Sequence, residues 1–297
     1  MFTAWMPGLI REMEPISHME SMLRSGRKIP RRAALEGLGS GALLALGLWP
    51  GALKAAGANN SGAFRFLVVN DTHYMSPECG AWLQAVVRQM KSHQGIELCL
   101  HAGDLTEHGQ REDLAVVRDI FRGLAVPTYG VIGNHDYLTQ TDRRPYESIF
   151  RRWLNYVFMH RGWQFVGLDT TDGLRFEKTE IPDATFLWLD DHLRKLSQKS
   201  PTVILTHFPL GAGVSYRPLN ADALLERFKP FNLQAVFSGH FHGFTERKTG
   251  RTTLTTNRCC ALKRANHDQT TEKGYFLCEA RDGMISRSFV EFRTVHE

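Results

Sequence analysis

The sequence predicts an α/β domain in which strands and helices alternate and polar loops follow the strands. Three observations lead to this prediction. Short apolar runs alternate with stretches of helical spacing from residue 64 onward. Polar clusters stand directly after several of the predicted strands. Of the 297 residues, 42% are hydrophobic and 23% are charged, which is the composition of a globular domain.

The first part of the domain predicts a β-α-β-α-β unit. Apolar runs at residues 64–69, 96–100 and 126–132 predict three strands. Residues 81–90 and 113–124 carry apolar side chains at helical spacing and predict the two helices between them. This alternation is typical of a sheet whose functional loops lie at the carboxyl ends of its strands.

The second part continues the alternation less regularly. Runs at residues 155–160 and 163–168 flank Arg161-Gly162 and predict a hairpin. The other predicted elements are helices at 146–150, 183–196 and 222–228, and strands at 202–205, 233–237, 244–248, 252–256, 275–279 and 285–292. No repeat or low-complexity linker interrupts residues 59–297, so we predict a single domain there.

Residues 1–58 have the features of an export signal. A basic region ends at Arg31-Arg32, a mildly apolar and Gly-rich stretch follows at 38–53, and Ala-Gly-Ala at 56–58 offers a cleavage site. Paired arginines before such a stretch resemble a twin-arginine signal. We therefore expect cleavage after residue 58 and a periplasmic or secreted protein. An uncleaved anchor and a mis-started N-terminus are the alternatives.

Charge and cysteine content exclude several classes of protein. The net charge is +5, of which residues 1–58 hold +3, so the basic excess gives no case for a stable nucleic-acid complex. The five cysteines show no C-x-x-C spacing and are odd in number, which excludes a disulfide scaffold or a zinc ribbon. We expect membrane contact only during export, and the oligomeric state stays open.

Five of the predicted strand ends carry clusters of metal-ligating residue types. In chain order the clusters are Asp71-x-His73, Gly103-Asp104, Gly133-Asn134-His135-Asp136, His207 and Gly239-His240-x-His242. In both x-spaced pairs the two side chains return to the same face of an extended segment. Three oxygen ligands and four imidazoles suit two metals that share one ligand, and the lack of Cys favours Mn, Fe or Zn.

This series resembles the motifs of the calcineurin-like metallophosphoesterases, which are D-x-H, G-D, G-N-H-[DE], H and G-H-x-H in the same order. All five clusters are intact and span residues 71–242. The resemblance implies a four-layer α-β-β-α sandwich of two mixed sheets, with a two-metal site at the strand ends. In purple acid phosphatases a Tyr takes part in place of the first-cluster His, so His73 argues against that branch.

The resemblance also implies a role for each position. The implied ligands are Asp71, His73 and His242 for one metal, Asn134, His207 and His240 for the other, and Asp104 as the bridge. His135, oriented by Asp136, would be the general acid that protonates the leaving group. A metal-activated hydroxide would attack phosphorus in line with that group.

We therefore expect a binuclear, metal-dependent hydrolase of a small-molecule phosphoric ester. A phosphodiesterase resembling the class III cyclic-nucleotide enzymes is favoured, because the compact chain carries the D-x-H form of the first cluster. A phosphomonoesterase on the same site and a diesterase for lipid headgroups or cell-wall material stay open. A non-catalytic metal-binding module is a third alternative, against which the complete ligand set argues.

Residues around the clusters receive weaker predictions. His101 is expected to be buried and hydrogen-bonded, and His108 to support the metal site from behind. The substrate loops are expected at residues 136–144, 211–217 and 263–268. The candidate phosphate contacts in these loops are Arg217, Lys263, Arg264 and His267, each of which could equally be a solvated surface side chain.

Overall fold

A computed structural model describes residues 62–151 and 153–293, in which eleven strands form two sheets. The strands are β1 (Phe64–Val69), β2 (Ile96–His101), β3 (Thr128–Gly130), β4 (Tyr156–His160), β5 (Trp163–Gly167), β6 (Thr202–Thr206), β7 (Leu233–Ser238), β8 (Thr245–Thr249), β9 (Thr252–Thr256), β10 (Gly274–Arg281) and β11 (Met284–Glu291). The helices are α1 (Pro77–Ser92), α2 (Arg111–Arg122), α3 (Arg144–Ile149), α4 (Asp183–His192) and α5 (Ala221–Phe228), with 3₁₀ turns at Asn134–Asp136 and Leu193–Lys195.

Both sheets are mixed. The first has the order β11-β10-β1-β2-β3, with β1, β2 and β3 parallel and β10 and β11 antiparallel to their neighbours. The second has the order β4-β5-β6-β7-β9-β8, with a parallel centre and antiparallel strands at both edges. The strands that precede the polar clusters, β1, β2, β3, β6 and β7, all pair in parallel with at least one neighbour. Their carboxyl ends therefore present the clusters at one edge of each sheet.

Side-chain alternation along the strands builds the layers. In β1, Phe66 and Val68 pack between the sheets, where Phe66 makes an edge contact with Phe165 at 5.9 Å between ring centroids. The intervening residues of β1 pack in a separate cluster with apolar residues of α1 and α2. A third cluster joins the second sheet to α4 and α5. The four-layer α-β-β-α sandwich is thereby confirmed.

The predicted elements occur with shifted boundaries. Helix α1 begins at Pro77, four residues before the predicted start, because Ser76 caps it by accepting a hydrogen bond from Cys79 N at 3.4 Å. Helix α4 ends earlier than predicted, since its last turn becomes the 3₁₀ turn Leu193–Lys195. The predicted hairpin is confirmed, and Arg161 and Gly162 at its tip have φ of 46° and 81°.

The predictions on export, membrane contact and cysteines have different outcomes. The export signal and its cleavage after residue 58 lie outside the described residues and stay predictions. Within residues 62–151 and 153–293, none of the helices has the length and apolar character needed to span a bilayer. All five cysteines are buried and free.

Candidate functional site

The seven predicted metal ligands converge at the carboxyl edge of the sandwich. Each belongs to the residues that follow β1, β2, β3, β6 or β7, and all seven are at most 7% exposed. They are Asp71, His73, Asp104, Asn134, His207, His240 and His242. Parallel strands of one sheet end at one edge, so residues far apart in sequence meet there. Burial of this many polar side chains requires partners for them.

The backbone at these positions is unusual. Positive φ angles, which only a few per cent of non-glycine residues adopt, occur at five of the seven. They are Asp71 (51°), His73 (42°), Asp104 (52°), His240 (66°) and His242 (48°). Backbone hydrogen bonds hold this conformation, for example from Asp71 N to Gly103 O at 3.0 Å and from His73 N to Asp104 O at 3.1 Å. Strained backbone of this kind gathers at functional sites.

The glycines of the motifs have two different physical roles. Gly103 has a φ of 85° and makes a tight turn that favours glycine. Gly133 has a φ of −106°, which any residue adopts, so backbone conformation does not require glycine there. A Cβ at position 133 would lie 2.1 Å from Asp104 Oδ1. Its glycine is required because the backbone passes directly against that carboxylate.

The ligand atoms form two groups that share Asp104. The first half-site comprises Asp71, His73, His242 and Asp104, and the second comprises His207, His240 and Asp104. Asn134 joins the second half-site, since its Oδ1 lies 3.1 Å from His207 Nε2. This division agrees with the one implied by the resemblance. Ligation of an ion by each residue stays a prediction.

The two oxygens of Asp104 face different half-sites. Oδ2 lies 3.5 Å from His73 Nε2 in the first half-site, and Oδ1 lies 3.4 Å from His207 Nε2 in the second. Oδ1 also accepts a hydrogen bond from His135 N at 2.9 Å. One carboxylate can therefore bridge two cations and position the turn that carries the predicted general acid.

All four histidines present one ring nitrogen to an outer oxygen and the other to the centre. The outer contacts are His73 Nδ1 to Glu107 Oε2 (2.9 Å), His207 Nδ1 to Ala102 O (2.8 Å), His240 Nε2 to Phe176 O (2.7 Å) and His242 Nδ1 to Ala265 O (3.3 Å). Metal-binding histidines are oriented in this way. For His207, His240 and His242 an outer hydrogen bond to a backbone carbonyl places the proton on the outer nitrogen, and for His73 the charge of the Glu107 carboxylate favours the same arrangement.

The inner nitrogens then point lone pairs at one another. His73 Nε2 and His242 Nε2 are 3.1 Å apart, and His207 Nε2 and His240 Nδ1 are 3.2 Å apart. Two bare lone pairs at this distance are unfavourable without a proton or a cation between them. The donor set of imidazoles, carboxylates and one amide, with no thiolate, suits Mn, Fe or Zn. The residues therefore fit a pair of metal ions.

The charges of the site are coupled. Burial would raise the pKa of Asp71, but His242 and His207 overcome it and hold that pKa below its ordinary value. Burial would lower the pKa of His207, but Asp104 and Asp71 raise it to about 9. Without metal, protons on the histidines therefore balance the carboxylates. Cation binding must displace these protons.

The orienting role predicted for Asp136 is wrong in this structure. Its carboxylate accepts hydrogen bonds from Gly133 N and Thr106 N, each at 3.0 Å, and none of its described contacts is with the His135 ring. In a 3₁₀ turn, neighbouring side chains point in different directions. Burial raises the pKa of Asp136 to about 7. Asp136 closes the turn, and any effect on His135 is through the backbone.

Glu107 contacts both His73 and His135, and so has the supporting role that the sequence analysis gave to His108 and Asp136. Besides its contact with His73, its backbone O lies 3.1 Å from His135 Nδ1, and Arg264 pairs with its carboxylate. Burial opposes ionisation, but His73 and Arg264 lower the pKa of Glu107 to about 2, so it is charged. The adjacent His108, predicted to support the metals, has an exposed side chain. The sequence analysis thus selected His108, whereas its neighbour Glu107 makes the supporting contact.

Two of the three predicted substrate loops, residues 211–217 and 263–268, have side chains in contact with histidines of the site. The Tyr216 ring lies 5.3 Å from the His240 ring, and His267 stacks on His242 at 5.3 Å. Arg264 Nη2 is 3.4 Å from His135 Nε2, which supports its selection as a candidate phosphate contact. Arg217 and Lys263 instead pair with Asp222 and Glu78.

Comparison with known proteins identifies the family. The sequence profile of the calcineurin-like phosphoesterases matches residues 64–244, which is more than half of the chain. The protein therefore belongs to the calcineurin-like phosphoesterase family. A solved structure of a dimetal phosphatase from Danio rerio is similar with a TM-score of 0.59 and 13% identity, and the match covers 76% of this chain and 95% of that one. At this identity the similarity concerns the fold alone.

Several curated proteins are similar in sequence, among them the following two. One is a probable glycerophosphodiester phosphodiesterase of Arcobacter nitrofigilis, 26% identical over 156 residues, which are 49% of this chain and 56% of that protein. The other is the 3′,5′-cyclic adenosine monophosphate phosphodiesterase of Escherichia coli, 25% identical over 200 residues, which are 60% of this chain and 69% of that protein. The chain thus matches little more than half the length of the first relative.

Proposed function

We propose that this protein is a binuclear metal-dependent phosphodiesterase. The observation that carries the proposal is the orientation of the four histidines, whose outer nitrogens are held by oxygens while their inner nitrogens converge on two half-sites around Asp104. Both curated relatives described above are named as phosphodiesterases. Their names support diester over monoester hydrolysis for this chain.

The residues of the site have distinct tasks in this proposal. The first half-site and the second half-site would each hold one cation, and the pair would neutralise phosphoryl charge and make hydroxide available near neutral pH. Asp104 holds both half-sites and the backbone of His135 in one arrangement. Arg264 lies at the rim, where its guanidinium can contact a phosphoryl oxygen.

His135 is the proposed general acid. Its side chain is 29% exposed, more than that of any of the predicted ligands, and its Nδ1 contacts Glu107 O. This contact leaves Nε2 as the nitrogen that can donate to the leaving oxygen. The Glu107 carboxylate lies on the same side of the ring, with Oε1 3.6 Å from Nδ1.

The test compares wild type and His135→Ala on two diesters with Mn²⁺ added, with metal content measured in parallel. With 3′,5′-cyclic AMP, which has an alkoxide leaving group, we expect a loss of about 10²–10⁴-fold in kcat with both metals retained. With bis-p-nitrophenyl phosphate the loss should be smaller, because nitrophenolate leaves without a proton. His192→Ala, on α4, is the matched control and should match wild type.

Three results would change the proposal. An equal loss on both diesters would remove His135 as the acid. Faster hydrolysis of p-nitrophenyl phosphate than of either diester would indicate a phosphomonoesterase. Two bound metals without cleavage of any ester would indicate the non-catalytic module.

We further propose that the enzyme acts in the periplasm or outside the cell. The support is the pair Arg31-Arg32, the mildly apolar stretch after it and the small residues at 56–58. Mass spectrometry of exported protein locates the mature N-terminus, and a start far from residue 59 would refute the cleavage site.

A further inference from the structure

Aromatic side chains from three loops stand beside the two half-sites. We call them the aromatic rim and define it by Phe176, Tyr216 and His267. The Tyr216 ring lies 5.3 Å from the ring of His240 in the second half-site and 5.8 Å from the His267 ring. His267 in turn stacks on His242 of the first half-site at 5.3 Å. The aromatic rim therefore runs past both half-sites.

Phe176 is fixed beside the second half-site by its own backbone. Its carbonyl oxygen lies 2.7 Å from His240 Nε2 and makes the outer contact of that histidine. Its ring lies 6.3 Å from the Tyr216 ring, and the residue is 56% exposed. A single exposed apolar residue is normal on a protein surface. This one is held next to a buried polar centre, where its exposed ring is accessible to a bound ester.

The backbone of Tyr216 is in an unfavourable conformation. Its φ is 64°, in the left-handed region that bulky residues rarely adopt. The next residue anchors the loop, since Arg217 Nε donates to Leu210 O at 2.9 Å and its guanidinium pairs with Asp222. Strained backbone of this kind gathers at ligand sites. The strain accompanies a half-buried ring that is held between the two half-sites.

The other side of the site has a different chemistry. His135, the proposed general acid, has its ring 4.8 Å from the His73 ring in the first half-site, and Arg264 Nη2 lies 3.4 Å from its Nε2. Phe176 adjoins His240 of the second half-site instead. A diester bound across both half-sites therefore has polar, charged groups beside one of its arms and aromatic rings beside the other.

We propose that the aromatic rim binds a flat aromatic group on the ester arm that stays attached to phosphorus. This inference rests on the proposed function, which places the leaving arm at His135. Phe176 and Tyr216 would hold the flat group by stacked or edge contacts. Such contacts accept many rings, because every flat aromatic group has a π face. The favoured substrates are diesters whose retained arm carries an aryl or heteroaryl group, over those with a small polar arm such as glycerol.

The first test uses three diesters that share the p-nitrophenolate leaving group and carry phenyl, cyclohexyl or methyl as the retained arm. Phe176→Ala should lower kcat/KM for the phenyl diester about tenfold and change the methyl diester little. Tyr216→Ala should act in the same direction, whereas Tyr216→Phe keeps the ring and should keep the wild-type ratio. Leu187→Ala, at a 69% exposed residue of α4, is the control.

The second test measures binding without turnover. The metal-loaded full chain is titrated calorimetrically with phenylphosphonate and with methylphosphonate, which have no ester bond to cleave. Wild type should bind phenylphosphonate more tightly, and Phe176→Ala should bring the two affinities together. Metal content and melting temperature are measured for every variant, so that loss of metal or of folding is recognised separately.

Two results would overturn the inference. One is an unchanged ratio of phenyl to methyl diester hydrolysis in Phe176→Ala and Tyr216→Ala, with metals retained. The other is a loss on the cyclohexyl diester equal to that on the phenyl diester, which would show apolar contact without selection for a flat ring. Absence of cleavage of all three diesters by wild type counts against the proposed function instead, and the phosphonate titration still decides whether the aromatic rim binds a ring.

Discussion

The two half-sites use the same number of histidines and differ in charge. The first half-site has its own carboxylate, Asp71, and a second carboxylate, Glu107, behind His73. The second half-site has the neutral amide of Asn134 instead, and backbone carbonyls stand behind both of its histidines. Since charge attracts a cation more strongly than a dipole does, the first half-site should hold its ion more tightly. The second ion should be the exchangeable one.

The largest expected effect is on the residue that the half-sites share. Asp104→Ala should release both metals and reduce hydrolysis to background, because it removes a ligand from each half-site and the acceptor for His135 N. Metal analysis and hydrolysis of bis-p-nitrophenyl phosphate measure this. Asp119→Asn, an exposed residue of α2, is the control. Retention of two metals by Asp104→Ala would contradict the shared role.

The next effect concerns the order in which the ions leave. Titration with a chelator should remove one metal from wild type well before the other. Asn134→Asp adds a carboxylate to the second half-site and should bring the two affinities together. Asp71→Asn removes the extra charge of the first half-site and should weaken its ion. If both variants release metals in the wild-type order and at the same chelator concentrations, charge does not distinguish the half-sites.

The smallest effect is expected at Glu107. Glu107→Gln keeps the size of the side chain and removes the charge behind His73, so affinity at the first half-site should fall about 10–100-fold. Affinity at the second half-site should stay unchanged, and the chelator titration measures both. Glu112→Gln, exposed at the start of α2, is the matched control. An equal loss at the two half-sites would show that Glu107 supports the whole fold of the site.

Local pattern was sufficient to select the seven side chains that converge at one edge of the sandwich and to predict most elements. The predicted ligands follow apolar strands in short motifs, so their residue types and order can be identified without knowledge of tertiary contacts. The layer arrangement came from the resemblance to the family, and the hairpin from its two-residue turn. The observed start of helix α1 differs from the predicted one because the Ser76 cap sets it.

The functional contacts that sequence reasoning missed are between distant residues. Glu107 and Arg264 are 157 positions apart, and His135 and Arg264 are 129 apart. A motif records which residue types stand near one another in the chain, and Asp136 next to His135 therefore looked like its partner. The turn geometry directs that carboxylate to Gly133 and Thr106 instead.

The sequence by itself determined the ligand types, their order along the strands and the family to which they belong. Only the tertiary structure decided which nitrogen of each histidine faces the centre and that Glu107 stands behind His73. The physical reason is that hydrogen-bond partners and cavities are set by where two sheets pack, and packing joins residues whose separation in sequence carries no signal.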